Sequence, residues 1–186
     1  MKFEDALKLV GIAEGGYSNH PLDSGGETIC GIARNKNPNC AIWKMVDRWK
    51  ERGNTSPQAL TKLAHKDSEF MGIVQGFYRG GYWNTCRCDE LPNLWRYPVY
   101  SCAVNCGSKT AIRLLQKVVG ATADGIYGGK TTAKVRTCPY KEQVFVDKFC
   151  DLWCKYYDQI VKHNPKQEVF LRGWKNRVED VKTDNF

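Results

Sequence analysis

Histidine is scarce in this chain of 186 residues: His20, His65 and His163 are the only three, and no two stand at a metal-ligand spacing. No stretch approaches the roughly 20 apolar residues of a membrane-spanning helix, so an integral membrane segment is not expected. The opening residues, MKFEDALKLV, carry acidic side chains early and lack the apolar core of a secretory signal. The expectation is a product made in the cytoplasm without a signal peptide. If its target lies beyond the membrane, something else must release it. There is no long basic run, no groove-reading motif and no internal repeat. Basic residues are scattered, as at Lys44, Arg48, Lys50 and Arg52, which is the pattern of solvated helix faces. A nucleic-acid role would rest on the net charge of +8 alone, and it is set aside. Neither a metal nor a cofactor is expected.

What is present suits one compact domain, or one domain with a small appended lobe. Apolar residues make up 42% and aromatics 12%, enough for a core and too much for disorder. The positive balance favours an anionic partner. Nine cysteines is a high and odd number, so at least one thiol cannot pair within a monomer. Cys102 with Cys106, and Cys150 with Cys154, sit at helical i, i+4 spacing inside apolar stretches. They read as buried small hydrophobes ahead of zinc ligands. Disulfides formed after release into an oxidising compartment are the alternative.

Phe3, Ala6, Leu7, Leu9, Val10 and Ala13 recur near helical spacing and predict a helix over about residues 3–14, stopped by Gly15-Gly16. Residues 17–34 read as a small irregular hairpin, and a helix follows around Trp43 to Arg52. Ser56-Pro57 is a strong helix start, and one helix is expected from there to Gly80-Gly81. Cys86 to Asn93 reads as a loop and Tyr97 to Cys106 as a buried helix. A helix capped by Ser108 then runs to Gly120, with a short one from about Thr131. Long helices over 140–162 and 169–181 finish the chain. The fold class expected is mostly α, with a small β-hairpin excursion.

The densest pattern is Glu14-Gly-Gly-Tyr-Ser-Asn-His-Pro-Leu-Asp23-Ser-Gly-Gly-Glu-Thr28, running into Ile-Cys-Gly-Ile32. Two carboxylates nine residues apart are held on a tightly turned backbone. Glycosidic hydrolysis asks for such a pair: one protonates the leaving oxygen, the other activates water or stabilises the sugar cation. A Glu14 in the last turn of the first helix would have its pKa raised by the negative end of the dipole, as suits an acid. Each residue also has a bland reading: Glu14 as a solvated helix end, Asp23 as a turn residue, Thr28 as an ordinary strand residue.

This stretch resembles glycoside hydrolase family 108, phage and bacterial N-acetylmuramidases, almost position by position. Phe77-Tyr-Arg-Gly-Gly-Tyr-Trp83 resembles the family's helix end. Ala103-Val-Asn-x-Gly107, Leu115-Gln116 and Asp124-Gly-x-x-Gly128-x-x-Thr131 resemble its predicted peptidoglycan-binding part, and Gly173-Trp174-x-x-Arg177-Val178 its closing helix. Where members often carry an aspartate, this chain has Ser101. The resemblance covers nearly the whole chain. It implies a lysozyme-like helical fold, with a catalytic lobe over 1–95 and a peptidoglycan-binding lobe over 96–186. It also implies cleavage of the β-1,4 bond between N-acetylmuramic acid and N-acetylglucosamine. A looser likeness to phage lysozymes of the T-even type implies Glu14 as general acid, with Asp23 and Thr28 positioning water for an inverting attack. Tyr17, Asn19, Tyr82 and Asn105 are the implied substrate contacts, peptidoglycan the partner, and a monomer the working form.

Two rivals follow. One is a non-catalytic peptidoglycan-binding or secretion-associated protein on the same fold, against which the intact Glu14 and Asp23 argue. The other is a lytic transglycosylase, which needs one acid and no activated water; the Asp23–Thr28 pair favours hydrolysis.

Overall fold

The computed structural model describes residues 1–11, 15–20 and 25–183. The chain forms two compact units, Leu7–Arg79 and Met1–Ala6 with Gly80–Phe186. It is mostly helical, and among the described residues no helix is long and apolar enough to cross a membrane.

Helix α1, Phe3–Val10, buries Phe3, Ala6 and Leu7 and carries Glu4 and Asp5 in its first turn, where the helix dipole favours acid. It is shorter than its periodicity predicts. Gly11 takes a φ of +68°, a left-handed conformation cheap only for glycine, and the helix ends there rather than at Gly15-Gly16.

In the unit Leu7–Arg79, strands β1 (Thr28–Ile29) and β2 (Ile32–Ala33) pair antiparallel, with Thr28 opposite Ala33 and Ile29 opposite Ile32. The two loop residues, Cys30 and Gly31, both have positive φ (48° and 72°), as the tight hairpin turn matching strand twist requires. Ile29 and Ile32 are fully buried, and the Tyr78 hydroxyl donates to the Cys30 carbonyl at 2.8 Å, tying the turn down. Helix α2, Ile42–Glu51, buries Ile42, Trp43, Met45 and Val46, one stripe of its surface. Ser56 caps α3 (Pro57–Lys66) by accepting from the Ala59 N–H at 3.2 Å, as its sequence predicts.

The single helix expected up to Gly80 is instead two. Asp67 leaves helical geometry (φ −91°, ψ 109°), and its carboxylate accepts from the Phe70 N–H at 3.0 Å, starting α4 (Ser68–Tyr78). An Asp followed by Ser-Glu is a helix-start signal in its own right. A wider, π-helical turn, Arg79–Asn84, follows.

The other unit is built on α5 (Asn93–Cys106), α6 (Ser108–Val119), α7 (Gly129–Arg136), α8 (Glu142–His163) and α9 (Glu168–Thr183). Aromatic side chains four apart on α8 make its spine. Trp95 stacks flat on Phe145, centroids 3.6 Å apart, and the series continues through Phe149, Trp153 and Tyr157 to Trp174. Phe3 meets Trp83 and Tyr100 edge-on, at 5.7 and 6.0 Å, and Arg96 donates to the Met1 carbonyl at 3.0 Å. Ser108 does not cap α6. Its hydroxyl donates to the Gly81 carbonyl at 2.8 Å, and Gly107, at φ +86°, holds the cap position. All nine cysteines are free; Cys102 and Cys150 are buried, while Cys106 and Cys154 are partly exposed.

Candidate functional site

The glycine-rich motif becomes a three-stranded patch. Ser18 and Thr28 exchange both backbone hydrogen bonds at 2.8 Å, and the Cys30 N–H donates to the Gly15 carbonyl at 3.0 Å. Residues 15–20 therefore run alongside the hairpin, placing Tyr17 and Asn19 on either side of the Thr28 pairing. Two glycines are explained by closeness. A Cβ on Gly16 would lie 3.1 Å from the Thr61 hydroxyl oxygen, which accepts from the Tyr17 N–H. Gly26, at φ +65°, would drive a Cβ to 2.8 Å from the Asn35 amide nitrogen.

Glu14 and Asp23 lie outside the described residues. Helix α1 ends at Val10, four positions before Glu14 in the sequence. Thr28 is half-buried, with its hydroxyl 3.4 Å from the Gly26 carbonyl. Tyr17 is buried, its hydroxyl donates to Glu27, and the Lys50 ammonium sits 5.2 Å from its ring centroid. Burial raises its pKa. Asn19 is exposed, with its side chain hydrogen-bonded to Tyr17.

Sequence reasoning missed the charged network beneath this patch. Glu27 accepts from Tyr17, from Arg34 Nη1 at 2.6 Å and from the Lys50 ammonium, and its side chain is 14% exposed. Arg34 also forks onto both Asp47 oxygens, at 2.8 and 2.6 Å, and covers the Trp43 ring 5.2 Å from its centroid. The hydrogen bonds from Arg34 hold the Asp47 carboxyl below its ordinary value. A signal existed. Once the Cys30-Gly31 turn sets the register, Glu27 and Arg34 fall opposite each other as a cross-strand charge pair. Asp47 and Lys50 lie three apart on α2.

A pH test of this buttress follows. A carboxyl whose folded pKa is depressed stabilises fully above its unfolded value, near 3.9, and loses that contribution as pH falls through the folded value. Asp47→Asn should flatten the acid side of the unfolding curve below about pH 4, while costing only about 0.2–1 kcal/mol at neutral pH, since the pair is part-exposed. Thermal melts from pH 2 to 7 would check it; equal acid sensitivity in both proteins would refute the assignment.

Tyr82 and Asn105 belong to the other unit. Tyr82 is half-buried on the π-helical turn, and burial raises its pKa. The Asn105 amide nitrogen donates to the Ser101 carbonyl at 2.7 Å, and its oxygen accepts from Arg177. Asn105 borders a cavity of about 340 Å³ walled by Cys106, Tyr156, Tyr157, Trp174 and Arg177. The Asp124–Thr131 motif is a clamped turn. The buried Gln116 amide nitrogen lies within 2.8–3.0 Å of Asp124 Oδ1, the Ile126 carbonyl and the Thr131 hydroxyl, and its oxygen accepts from the Gly125 N–H at 2.9 Å. Those motif residues are thus explained by structure. Among the described residues no three side chains of metal-ligand type cluster.

A family model described as Glycosyl hydrolase 108 matches residues 7–107, and one described as Predicted Peptidoglycan domain matches residues 110–179. The chain is similar to the solved structure of Brucella abortus SagA, at 30% sequence identity and a TM-score of 0.68, over 97% of this chain and 91% of that one. No curated protein matches it.

Proposed function

The chain belongs to glycosyl hydrolase family 108 and is a peptidoglycan hydrolase on a mostly helical, lysozyme-like fold, and from that premise we propose that it is a muramidase. It cleaves the β-1,4 bond from N-acetylmuramic acid to N-acetylglucosamine. Glu14 protonates the leaving oxygen, and Asp23, aided by the Thr28 hydroxyl, orients a water on the opposite face of the sugar, so that the anomeric centre inverts. Tyr17, Asn19, Tyr82 and Asn105 contact the glycan. Residues 1–95 carry the catalysis and 96–186 hold the wall. The enzyme works as a monomer, made in the cytoplasm and acting on the wall after release.

The observation that carries this reading is the backbone ladder joining Ser18 to Thr28 and Gly15 to Cys30. It fixes Thr28 against the segment that leaves Glu14, and the half-buried Glu27–Arg34–Asp47 buttress braces that frame before substrate arrives. Preorganised frames of this kind are how enzymes avoid reorganising in the transition state.

Mass spectrometry of muropeptides released from purified wall tests it. Hydrolysis should give products ending in reducing N-acetylmuramic acid. Products lighter by one water would make the protein a lytic transglycosylase, and no release at all would leave a non-catalytic binder. Asp23→Asn should impair turnover strongly while wall binding, measured by pelleting, changes little. A folded variant with undiminished turnover would remove Asp23 from the mechanism.

A further inference from the structure

Among the described residues, no other thiol has the surroundings of Cys106. The indole Nε1 of the fully buried Trp153 donates to Cys106 Sγ at 3.2 Å, the Tyr157 hydroxyl lies 3.4 Å from the same sulfur, and Cys102 stands one turn earlier on the same helix. A buried indole N–H can only donate, and a sulfur bearing negative charge is its best available acceptor there. The sulfur borders the cavity of about 340 Å³, large enough for a small molecule. Arg177 stands on the cavity wall. Among the described residues it meets the Asn105 oxygen and no carboxylate, so its cation is available to an anion that enters.

We propose that Cys106 is a thiol-modification site, whose substrate is a low-molecular-weight disulfide carrying carboxylates, seated in this cavity with a carboxylate on Arg177. The Cys106 thiol gives its proton to solvent, and the thiolate attacks one sulfur of the small disulfide. The S–S bond breaks, a mixed disulfide forms on Cys106, and the departing thiolate takes a proton from solvent. No outside oxidant is needed, since the small disulfide is the species reduced.

The electrostatics agree with the geometry. Hydrogen bonding from Cys102, then from Tyr157 and Trp153, and the Arg177 charge lower the pKa of Cys106 despite its burial. Burial instead raises those of Cys30, to about 11, and of Cys86 and Cys150, to about 12. Thiolates, not thiols, carry out exchange.

The test incubates the native chain at pH 7 with glutathione disulfide as the probe, followed by peptide mapping of the adducts over time. Cys106 should be modified first, at least about threefold faster than any other thiol, the gain left after a lowered pKa also costs nucleophilicity. Arg177→Met should slow modification by glutathione disulfide markedly more than that by neutral hydroxyethyl disulfide, which loses only the effect of the Arg177 charge on the thiol, while Trp153→Phe should slow both alike. First modification elsewhere, an unmodified native chain, or equal slowing of both probes by Arg177→Met would each overturn the proposal. The readout is mass alone, so it stands or falls independently of any wall-cleaving activity.

Discussion

Glu14→Gln should leave the chain folded and remove nearly all hydrolysis of purified wall. The amide keeps the volume and polarity of the side chain but has no acidic proton to give the leaving sugar oxygen, and a general acid contributes about 10²–10⁴-fold. Melting curves of the two proteins should coincide, because no hydrogen bond of the described ladder depends on the substituted carboxyl: Gly15, Ser18, Thr28 and Cys30 are joined through backbone atoms alone. Release of reducing ends is the measurement. A folded variant keeping more than a tenth of the parent's rate would mean that another group supplies the proton. Glu27 would be the first to examine, yet its two oxygens already serve Tyr17, Arg34 and Lys50.

The largest loss of stability should come from Phe145→Ala. Phe145 is fully buried, stacks on Trp95 at 3.6 Å with the rings within 8° of parallel, and meets Phe149 at 5.7 Å. Its removal breaks the aromatic spine at the point where α5 meets α8. Truncating a buried phenylalanine costs about 3–5 kcal/mol, a large part of the about 5–15 kcal/mol that holds a typical domain together. Denaturant titration should show an earlier transition for the signal arising from Trp95 and Trp153. A shift corresponding to under 1 kcal/mol would mean that the neighbours close over the gap.

Most helices were legible because their signals are local. Ser56-Pro57 starts α3 where expected, and Gly107 and Gly120 end α5 and α6. The misses came from rival local signals of similar strength. Gly11 and Gly15-Gly16 can each stop α1, and periodicity alone does not choose between them. Apolar spacing runs through residue 67 unbroken, so the capping bond that divides α3 from α4 was hidden beneath it. Ser108 had a better acceptor in the Gly81 carbonyl, 27 residues away, than any sequence window shows. Of the candidate site, the spacing of glycines and carboxylates was visible and the buttress was not. Glu27, Arg34, Asp47 and Lys50 are unremarkable singly, and acquire meaning only when a hairpin register and a helix face bring them together.

The contacts of the first six residues bear on how the chain is made. Phe3 rests on Trp83 and Tyr100, and Met1 is held by Arg96, 95 positions downstream. A ribosome adding about 5–20 residues per second exposes the opening segment for roughly 5–20 s before those partners emerge. Leu7–Arg79 is complete by then and has all its own core residues in hand. Biosynthesis therefore imposes an order: the residues of Leu7–Arg79 are all made before Phe3 can meet Trp83 and Tyr100 or Met1 can meet Arg96. During that interval Phe3 lacks the two aromatic rings that cover it in the folded chain, an apolar surface of the kind that chaperones shield.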